Sequence, residues 1–138
     1  MELIDEILSE RNLRAAIESV RRNKGAAGID KMPVEELDEF FRRNGSRIKA
    51  EVREKRYKPQ PVRRAYIPKP NGKQRPLGIP TVSDRVIQQA MAQQIGPIYE
   101  PIFSEYSYGF RPNRSCHDAM RKALEYLNEG YEWIIDLD

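Results

Sequence analysis

The chain has 138 residues, of which 39% are hydrophobic and 33% are charged, and its formal net charge is +3. This length and composition predict one soluble intracellular domain, or a piece of one, with a sizeable core. The single cysteine, Cys116, excludes an internal disulfide and a cysteine-rich zinc site. No apolar run approaches the ~18–20 residues of a membrane span, and the acidic N-terminus is unlike a signal peptide. The expected compartment is therefore the cytoplasm, with no membrane partner.

The positive charge is concentrated in one block of the sequence. Residues 42–75 carry 13 Lys and Arg against 2 Asp and Glu, whereas residues 1–41 and 76–138 each have a net charge of −4. Such a run is usual on a solvated surface. The block also contains two tyrosines, Tyr57 and Tyr66, and this combination favours nucleic acid as the partner.

Apolar residues at helical spacing predict two amphipathic helices at the start of the chain, with a break near Ser9–Asn12. The loop Gly25–Lys31 follows, and Pro33 is expected at the first position of the next helix. Its two glycines allow the backbone to approach a ligand closely. An ordinary turn between helices with a glycine cap fits the same pattern.

A third helix, interrupted or bent near Asn44-Gly45, is predicted to have one apolar side and one basic side. Its predicted apolar positions are Val34, Leu37, Phe41, Ile48 and Val52. The basic side fits either a wet surface helix or an RNA contact.

The stretch that follows predicts a β-hairpin that carries cations. Six of the ten prolines lie between Pro59 and Pro80, which favours a solvent-side ribbon over a central sheet strand. Pro70-Asn71-Gly72 fits a three-residue loop in which Gly72 is left-handed.

That loop fixes the register of the hairpin. Ile67 then faces Arg75, and Arg63, Lys69 and Arg75 project from one face of the ribbon. Lys69 and Arg75 become diagonal neighbours, roughly 7–8 Å apart at their Cα atoms. A two-residue Asn-Gly turn would place them on opposite faces.

Thr81 or Ser83 is suited to cap a fourth helix, which is predicted to end at Gly96-Pro97. Residues 97–114 are expected to be rich in loops. Their aromatic residues fit either a core or a ligand surface.

Ser115 and Asp118 fit a capping box for a last helix through Leu127. Tyr131–Asp138 alternates and predicts a half-buried strand that ends in carboxylates. Since no turn or cap follows, we expect a piece of a longer protein. Asp136 and Asp138 share one face, which fits either surface acids or a metal site.

Three segments, in this order and spacing, resemble group II intron reverse transcriptases, also called maturases. They are Tyr66–Pro80, reading Tyr-Ile-Pro-Lys-Pro-Asn-Gly-Lys-Gln-Arg-Pro-Leu-Gly-Ile-Pro, then Asp84–Gln88, then Ser107–Ser115. The Gly25–Lys31 loop is similar to the family's N-terminal extension, and Trp133–Asp138 looks like the start of its first palm motif. The resemblance covers the whole chain.

The resemblance implies an α+β fold, a mostly helical fingers subdomain with a β-hairpin and the first palm strand of a right-hand polymerase. It divides the chain into an N-terminal extension (1–32), fingers (33–130) and a truncated palm (131–138). It further implies that Lys69 and Arg75 grip the triphosphate of the incoming dNTP, with Arg63 as a further candidate.

The resemblance also places the Gly25–Lys31 loop over the RNA template and Ser107–Arg114 along it. Together with the basic helix, the predicted RNA- and template-binding residues are Lys24, Gly28, Lys31, Arg43, Arg47, Arg53, Arg111 and Arg114. Asp138 matches the family's first catalytic, metal-binding aspartate. With a later Asp-Asp pair that this chain lacks, it would hold two Mg²⁺ ions.

The implied function is that of the fingers of an RNA-directed DNA polymerase encoded by a group II intron, inactive alone because its palm is incomplete. The implied partners are group II intron RNA, an RNA template, a DNA primer and dNTP. Apolar residues of the last strand, Trp133, Ile135 and Leu137, make a homodimer possible. The alternatives are a maturase-type RNA-binding module that assists splicing, or the fingers of a retron or CRISPR-associated reverse transcriptase.

Overall fold

The computed structural model describes residues 2–137, which form a mostly helical chain with one antiparallel hairpin. The helices are α1 (Leu3–Ile7), α2 (Glu10–Arg22), α3 (Leu37–Arg53), α4 (Val82–Tyr99) and α5 (Cys116–Asn128), and the strands are β1 (Arg63–Pro68) and β2 (Gln74–Ile79). Short 3₁₀ turns precede α3 and follow α4. This confirms the predicted α+β class.

Two compact units divide the chain, Met1–Gly96 and Pro97–Asp138. The first unit holds the buried core, to which α1 to α4 contribute. Its members are Ile7, Leu8, Leu13, Ala16, Val20, Val34, Leu37, Ile48, Val82, Val86, Ile87 and Ala90. The predicted division at residues 32 and 130 stays a prediction.

Asn12 joins the N-terminal helices to α4 through a buried amide. Its Nδ2 donates to the carbonyl oxygens of Ile7 (2.8 Å) and Ala90 (2.9 Å). Its Oδ1 accepts from Gln93 Nε2 and Gln94 Nε2, both at 2.7 Å. A buried amide with all these partners stabilises one arrangement of the helices, because any other leaves polar atoms unsatisfied. Just before it, Ser9 caps α2, which confirms the predicted break between α1 and α2.

Asp84 is the second buried polar centre of this unit, at the start of α4. Its carboxylate accepts hydrogen bonds from the Tyr57 hydroxyl, the Gln60 backbone N–H (2.9 Å) and the Thr81 hydroxyl (2.8 Å). Thr81 Oγ1 in turn accepts from the Asp84 N–H (3.2 Å) and caps the helix, as the sequence predicts. The helix dipole favours a negative charge at this end. Burial and the hydrogen bond to Asp84 raise the pKa of Tyr57.

Three predictions about the helices are wrong: the interruption near Asn44-Gly45, the end at Gly96-Pro97 and the helix position of Pro33. Helix α3 runs without interruption through Asn44-Gly45, because a single glycine costs only about 1 kcal/mol and the packing of Leu37 and Ile48 on the core outweighs it. Helix α4 continues through Pro97 to Tyr99. The residue before this proline is Gly96, which has no Cβ to clash with the proline ring. Pro33 lies one position earlier than predicted, as the cap of the 3₁₀ turn before α3.

The second unit contains α5 and the segments on either side of it. Ser115 and Asp118 form the predicted capping box of α5, with Ser115 N–H to Asp118 Oδ2 at 3.1 Å. The strand predicted at Tyr131–Asp138 is wrong for Tyr131–Leu137, which form no regular structure. A strand needs a neighbour for its backbone groups, and in residues 2–137 the two strands present pair with each other. Asp138 lies outside the described residues.

In the described part of the chain, no helix combines the length and the apolar character that crossing a membrane requires.

The Tyr57–Asp84 hydrogen bond gives a first prediction. Tyr57→Phe removes a hydrogen bond to a buried carboxylate, so the free energy of unfolding should fall by about 1.5–3 kcal/mol. Urea unfolding measures this loss. Tyr66→Phe, on an exposed strand residue, is the matched control and should change nothing. Equal stability of Tyr57→Phe and the unaltered protein would contradict a role for this contact.

The same pair predicts the pH dependence of stability. Because the folded pKa of Tyr57 is raised above its ordinary value of 10.0, the neutral phenol stabilises the fold fully below that pH. Its contribution declines as the pH rises above about 10, where the unfolded phenol ionises. The stability difference between the unaltered protein and Tyr57→Phe should therefore narrow in alkali.

Candidate nucleic-acid interface

The hairpin has the predicted register. Arg63 pairs with Ile79, Ala65 with Leu77 and Ile67 with Arg75. Lys69 N–H donates to the Lys73 carbonyl oxygen (2.7 Å), and Gly72 has a φ of +77°. The three-residue loop is therefore confirmed. Since directly paired residues share a face, Arg63, Lys69 and Arg75 belong to the same face of the ribbon.

These three cations differ in whether their side chains already have a hydrogen-bond or salt-bridge partner. All three are exposed. Arg63 Nε donates to the carbonyl oxygen of Ala27 (3.0 Å), which ties the base of the ribbon to the Gly25–Lys31 loop. Within residues 2–137, Lys69 and Arg75 take part in no salt bridge and in no side-chain hydrogen bond. An anion can therefore bind them without displacing a partner.

Two lysines with strained backbone mark the limits of the Gly25–Lys31 loop: Lys24 directly precedes it and Lys31 is its last residue. Lys24 has a φ of +47° and Lys31 a φ of +59°, in the left-handed region that side chains with a Cβ disfavour. Both side chains are exposed. Strain of this kind persists where surrounding contacts over-determine the conformation, and it is concentrated at functional sites.

Gly28 is buried because it packs against another segment of the chain. A Cβ on Gly28 would lie 2.6 Å from Thr81 Cα and 2.9 Å from the Pro80 carbonyl carbon. The glycine therefore allows the loop to lie directly on the backbone that joins β2 to α4. The close approach expected here for a ligand is made to the chain itself, and the template-binding role of Gly28 stays a prediction.

The arginines predicted on α3 are exposed but paired. Arg43 contacts Glu39 (2.5 Å), Arg47 contacts Glu51 (2.8 Å) and Arg53 contacts Asp5 of α1 (2.8 Å). Each pair contributes at most about 1 kcal/mol. A phosphate that binds one of these arginines must still approach a carboxylate. The RNA contact predicted for Arg43, Arg47 and Arg53 stays a prediction.

In the second unit, Arg111 organises the loop that was predicted to lie along the template. Its side chain is only 8% exposed and forms a salt bridge with Glu100 (2.9 Å). It also donates to the carbonyl oxygens of Ser104 (2.7 Å) and Ser107 (2.8 Å). Arg114 likewise donates to a carbonyl oxygen of this loop, that of Ser107 (3.3 Å). Both arginines therefore hold loop backbone, and their contact with RNA stays a prediction.

The aromatic residues around this loop are not a core. Phe110 is fully exposed, with a φ of +56°, and Tyr106 and Phe103 are about half exposed. Near the end of the chain, the apolar side chains of Trp133 and Ile135 are also exposed. The self-association predicted from Trp133, Ile135 and Leu137 stays a prediction.

The predicted metal site cannot be built from residues 2–137, since they contain no group of three His, Cys, Asp or Glu side chains placed to hold an ion. The described residues leave the predicted Mg²⁺ site, which needs Asp138 and a later Asp-Asp pair, a prediction. Asp138, the predicted ligand, lies outside them.

Sequence reasoning missed the work of Asp84 and Arg85. Both lie in one of the segments that carry the family resemblance, but no role was predicted for either of them. Asp84 accepts hydrogen bonds from Gln60 and Thr81, which lie on either side of the hairpin. Arg85 Nη2 donates to the Ala26 carbonyl oxygen, 59 residues away. The available signal was a charged pair beside a predicted helix cap.

Comparison with known proteins gives a family match over just over half of the chain. Residues 67–138 match the family model described as reverse transcriptase (RNA-dependent DNA polymerase). The matched segment begins inside β1 and includes Lys69 and Arg75.

Curated relatives extend the similarity towards the N-terminus. The group II intron-encoded protein LtrA of Lactococcus lactis subsp. cremoris is 40% identical over 124 residues, which are 89% of this chain and 20% of that protein. Protein YkfC of Escherichia coli K12 is 50% identical over 86 residues, 59% of this chain and 23% of that protein. A putative COX1/OXI3 intron 2 protein of Saccharomyces cerevisiae is 34% identical over 93 residues, 67% of this chain and 11% of that protein. The chain thus spans less than a quarter of the length of each of these relatives.

The strained lysines give a second prediction. Glycine adopts positive φ without the cost of about 1–2 kcal/mol that lysine carries, although its greater freedom when unfolded offsets part of the gain. Lys24→Gly should therefore raise the free energy of unfolding by up to about 1 kcal/mol, as measured with urea. Lys55→Gly, with a φ of +57° at the end of α3, should gain as much.

The two variants should differ in RNA affinity. If the Gly25–Lys31 loop binds RNA as the sequence predicts, Lys24→Gly loses affinity while Lys55→Gly, outside the loop, does not. A loss of stability in Lys24→Gly would show that the lysine side chain, and not the neighbouring contacts, holds this turn.

Proposed function

Since the chain belongs to the reverse transcriptase family, in its group II intron-encoded branch, we propose that it supplies part of the nucleotide- and RNA-binding surface of an RNA-directed DNA polymerase. The observation that supports this most directly is the hairpin register, which gives Arg63, Lys69 and Arg75 one exposed face. The matching family model includes this hairpin from Ile67 onwards.

The ligand proposed for that face is the triphosphate of a dNTP. Phosphoryl transfer depends mainly on positioning and on neutralising charge. Lys69 offers a compact point charge and Arg75 a planar fork that donates two hydrogen bonds, a combination that suits a triphosphate. The absence of any competing carboxylate on Lys69 and Arg75 within residues 2–137 keeps both available. Arg63 is a further candidate through its remaining donors.

The proposed RNA contact is the Gly25–Lys31 loop together with the free cations of the hairpin. Lys24 and Lys31 are exposed at the two ends of a loop that Arg63 joins to the ribbon. The arginines of α3 contribute less in this proposal, because their carboxylate partners repel phosphate. The alternative, a maturase-type module that holds folded intron RNA, would use that helix as its main contact.

The remaining partners of the proposal are a DNA primer, group II intron RNA and Mg²⁺, with a homodimer as a possible assembly. Catalysis would need carboxylates that residues 2–137 do not bring together. Residues 1–138 alone are therefore proposed to bind RNA without extending a primer.

The salt dependence of RNA binding tests which surface is used, and it is the third prediction. Each lost phosphate contact flattens the slope of log affinity against log salt by about 0.7 to 0.9. Replacing Lys69, Lys73 and Arg75 with Gln should flatten it clearly and weaken binding. Replacing Arg43, Arg47 and Arg53 with Gln removes the same charge from α3 and should have a smaller effect.

Fluorescence anisotropy with a short single-stranded RNA at several salt concentrations gives both slopes. Circular dichroism confirms that the variants fold. A larger flattening in the α3 variant would overturn the assignment to the hairpin and favour the maturase-type alternative.

A fourth prediction concerns the nucleotide, tested in a full-length family protein that carries this chain. Arg75→Ala should raise KM for dNTP and lower kcat, because a guanidinium neutralises charge that grows in the transition state. Lys69→Ala should act in the same direction. Since both serve one ligand group, the double variant should lose less than the product of the two single losses.

Steady-state primer extension with varied dNTP measures these constants. Lys55→Ala, a cation outside the ribbon, is the control. Fully multiplicative losses in the double variant would show that Lys69 and Arg75 act on separate groups.

A further inference from the structure

Two arginines from different elements hold neighbouring carbonyl groups of the Gly25–Lys31 loop. Arg63, at the start of β1, donates its Nε–H to the Ala27 carbonyl oxygen at 3.0 Å. Arg85, in the first turn of α4, donates from Nη2 to the carbonyl oxygen of Ala26. The loop is thus fastened at two successive peptide groups.

The loop has few contacts of its own that could maintain this conformation. Its internal backbone hydrogen bond joins Lys31 N–H to the Gly28 carbonyl oxygen (3.1 Å). Asp30 Oδ1 accepts from the N–H of Met32 (3.1 Å). Its strained ends at Lys24 and Lys31 favour other conformations. External contacts must therefore supply much of its order.

The position of Arg85 against this loop leaves one of its polar atoms unsatisfied. Its Nε is buried and has no hydrogen-bond partner among the described residues, which is unfavourable for a charged donor. Its guanidinium also packs on Gly25, since a Cβ there would overlap Arg85 Nη1. The carboxylate of Asp30, in the same loop, partly offsets the burial that lowers the pKa of Arg85.

The base of Arg85 is rigid. Its neighbour Asp84 is buried and bonded to Tyr57, Gln60 and Thr81, and the Arg85 N–H donates to the Thr81 carbonyl oxygen (3.0 Å). A side chain that starts from so fixed a backbone can define where the loop lies.

We propose that Arg85 is a positioning residue, which holds the Gly25–Lys31 loop in its RNA-binding conformation through the Ala26 carbonyl group without touching RNA itself. Arg63 fastens the next carbonyl group and so connects the loop to the cationic face of the hairpin. The claim that this loop conformation binds RNA rests on the proposed function. The claim that Arg85 holds the loop in place does not depend on it.

Arg85→Lys separates positioning from direct contact because it keeps the positive charge. A lysine has no guanidinium fork and a shorter reach to its donor. Amide hydrogen exchange of the loop, followed by mass spectrometry on residues 1–138, should accelerate roughly tenfold. RNA affinity should fall several-fold while the salt slope stays unchanged, since no phosphate contact is lost.

Four further variants complete the test: Arg22→Lys, Gly25→Ala, the double variant Gly25→Ala/Arg85→Lys, and Arg85→Gln, which removes the positive charge. Arg22→Lys makes the same chemical change on an exposed side chain of α2 and should alter neither exchange nor affinity. Gly25→Ala displaces the Arg85 guanidinium from the loop side and leaves the core intact, so it should reproduce the effects of Arg85→Lys. The double variant Gly25→Ala/Arg85→Lys should be little worse than either single variant, because both disturb one contact.

The outcomes are distinguishable. Unchanged loop exchange in Arg85→Lys and in Gly25→Ala would overturn the positioning role. Full RNA affinity in Arg85→Lys together with a flatter salt slope in Arg85→Gln would overturn it as well, since that pattern identifies a direct phosphate contact. If the unaltered protein fails to bind RNA, the proposed function fails, and the exchange measurement alone decides the role of Arg85.

Discussion

The buried carboxylate of Asp84 is the constraint on which the geometry of this chain depends. Its hydrogen-bond partners include Gln60, three residues before β1, and Thr81, two residues after β2. One side chain therefore fixes both ends of a ribbon whose strands contribute nothing to the buried core. Together with the Arg63 hydrogen bond to Ala27, that anchor positions the base of the hairpin beside the Gly25–Lys31 loop. A carboxylate is suited to the task because it accepts several hydrogen bonds at once at a helix N-terminus.

The Gly25–Lys31 loop is held in place by residues next to Asp84. Asp84 fixes the first turn of α4, and Arg85 extends from that turn to the Ala26 carbonyl group. Gly28 lies against Thr81, the residue that caps the same helix. The loop is thus stabilised from outside by contacts with Thr81 and Arg85 at the start of α4 and with Arg63 at the start of β1. This explains how two lysines remain in left-handed conformation at its ends: neighbouring contacts, and not their own preferences, define the backbone.

The features that the sequence predicted correctly are those that local chemistry determines. Pro70-Asn71-Gly72 specifies its turn and hence the register, and Ser115 with Asp118 specifies the start of α5. Several errors and omissions involve distant partners, whereas the continuation of α4 through Pro97 has a local cause in Gly96. Tyr131–Leu137 alternates like a strand, but a strand also requires a neighbouring strand, which residues 2–137 do not provide. The contacts of Arg85 and of Arg53 span 59 and 48 residues, and no local pattern indicates them.

Charge composition alone does not show which cations already have carboxylate partners in the fold. The block of 13 cations in residues 42–75 contains two electrostatically different groups. On α3, carboxylates of the same helix or of α1 and α2 contact Arg42, Arg43, Arg47, Lys49 and Arg53. On the hairpin, no acidic side chain opposes Lys69, Lys73 or Arg75 within residues 2–137. A polyanion responds to the field that remains after such pairing. Since Lys69, Lys73 and Arg75 have no such partner within residues 2–137, the ribbon is the segment proposed to bind it, and the turn Pro70-Asn71-Gly72 sets the spacing of these cations.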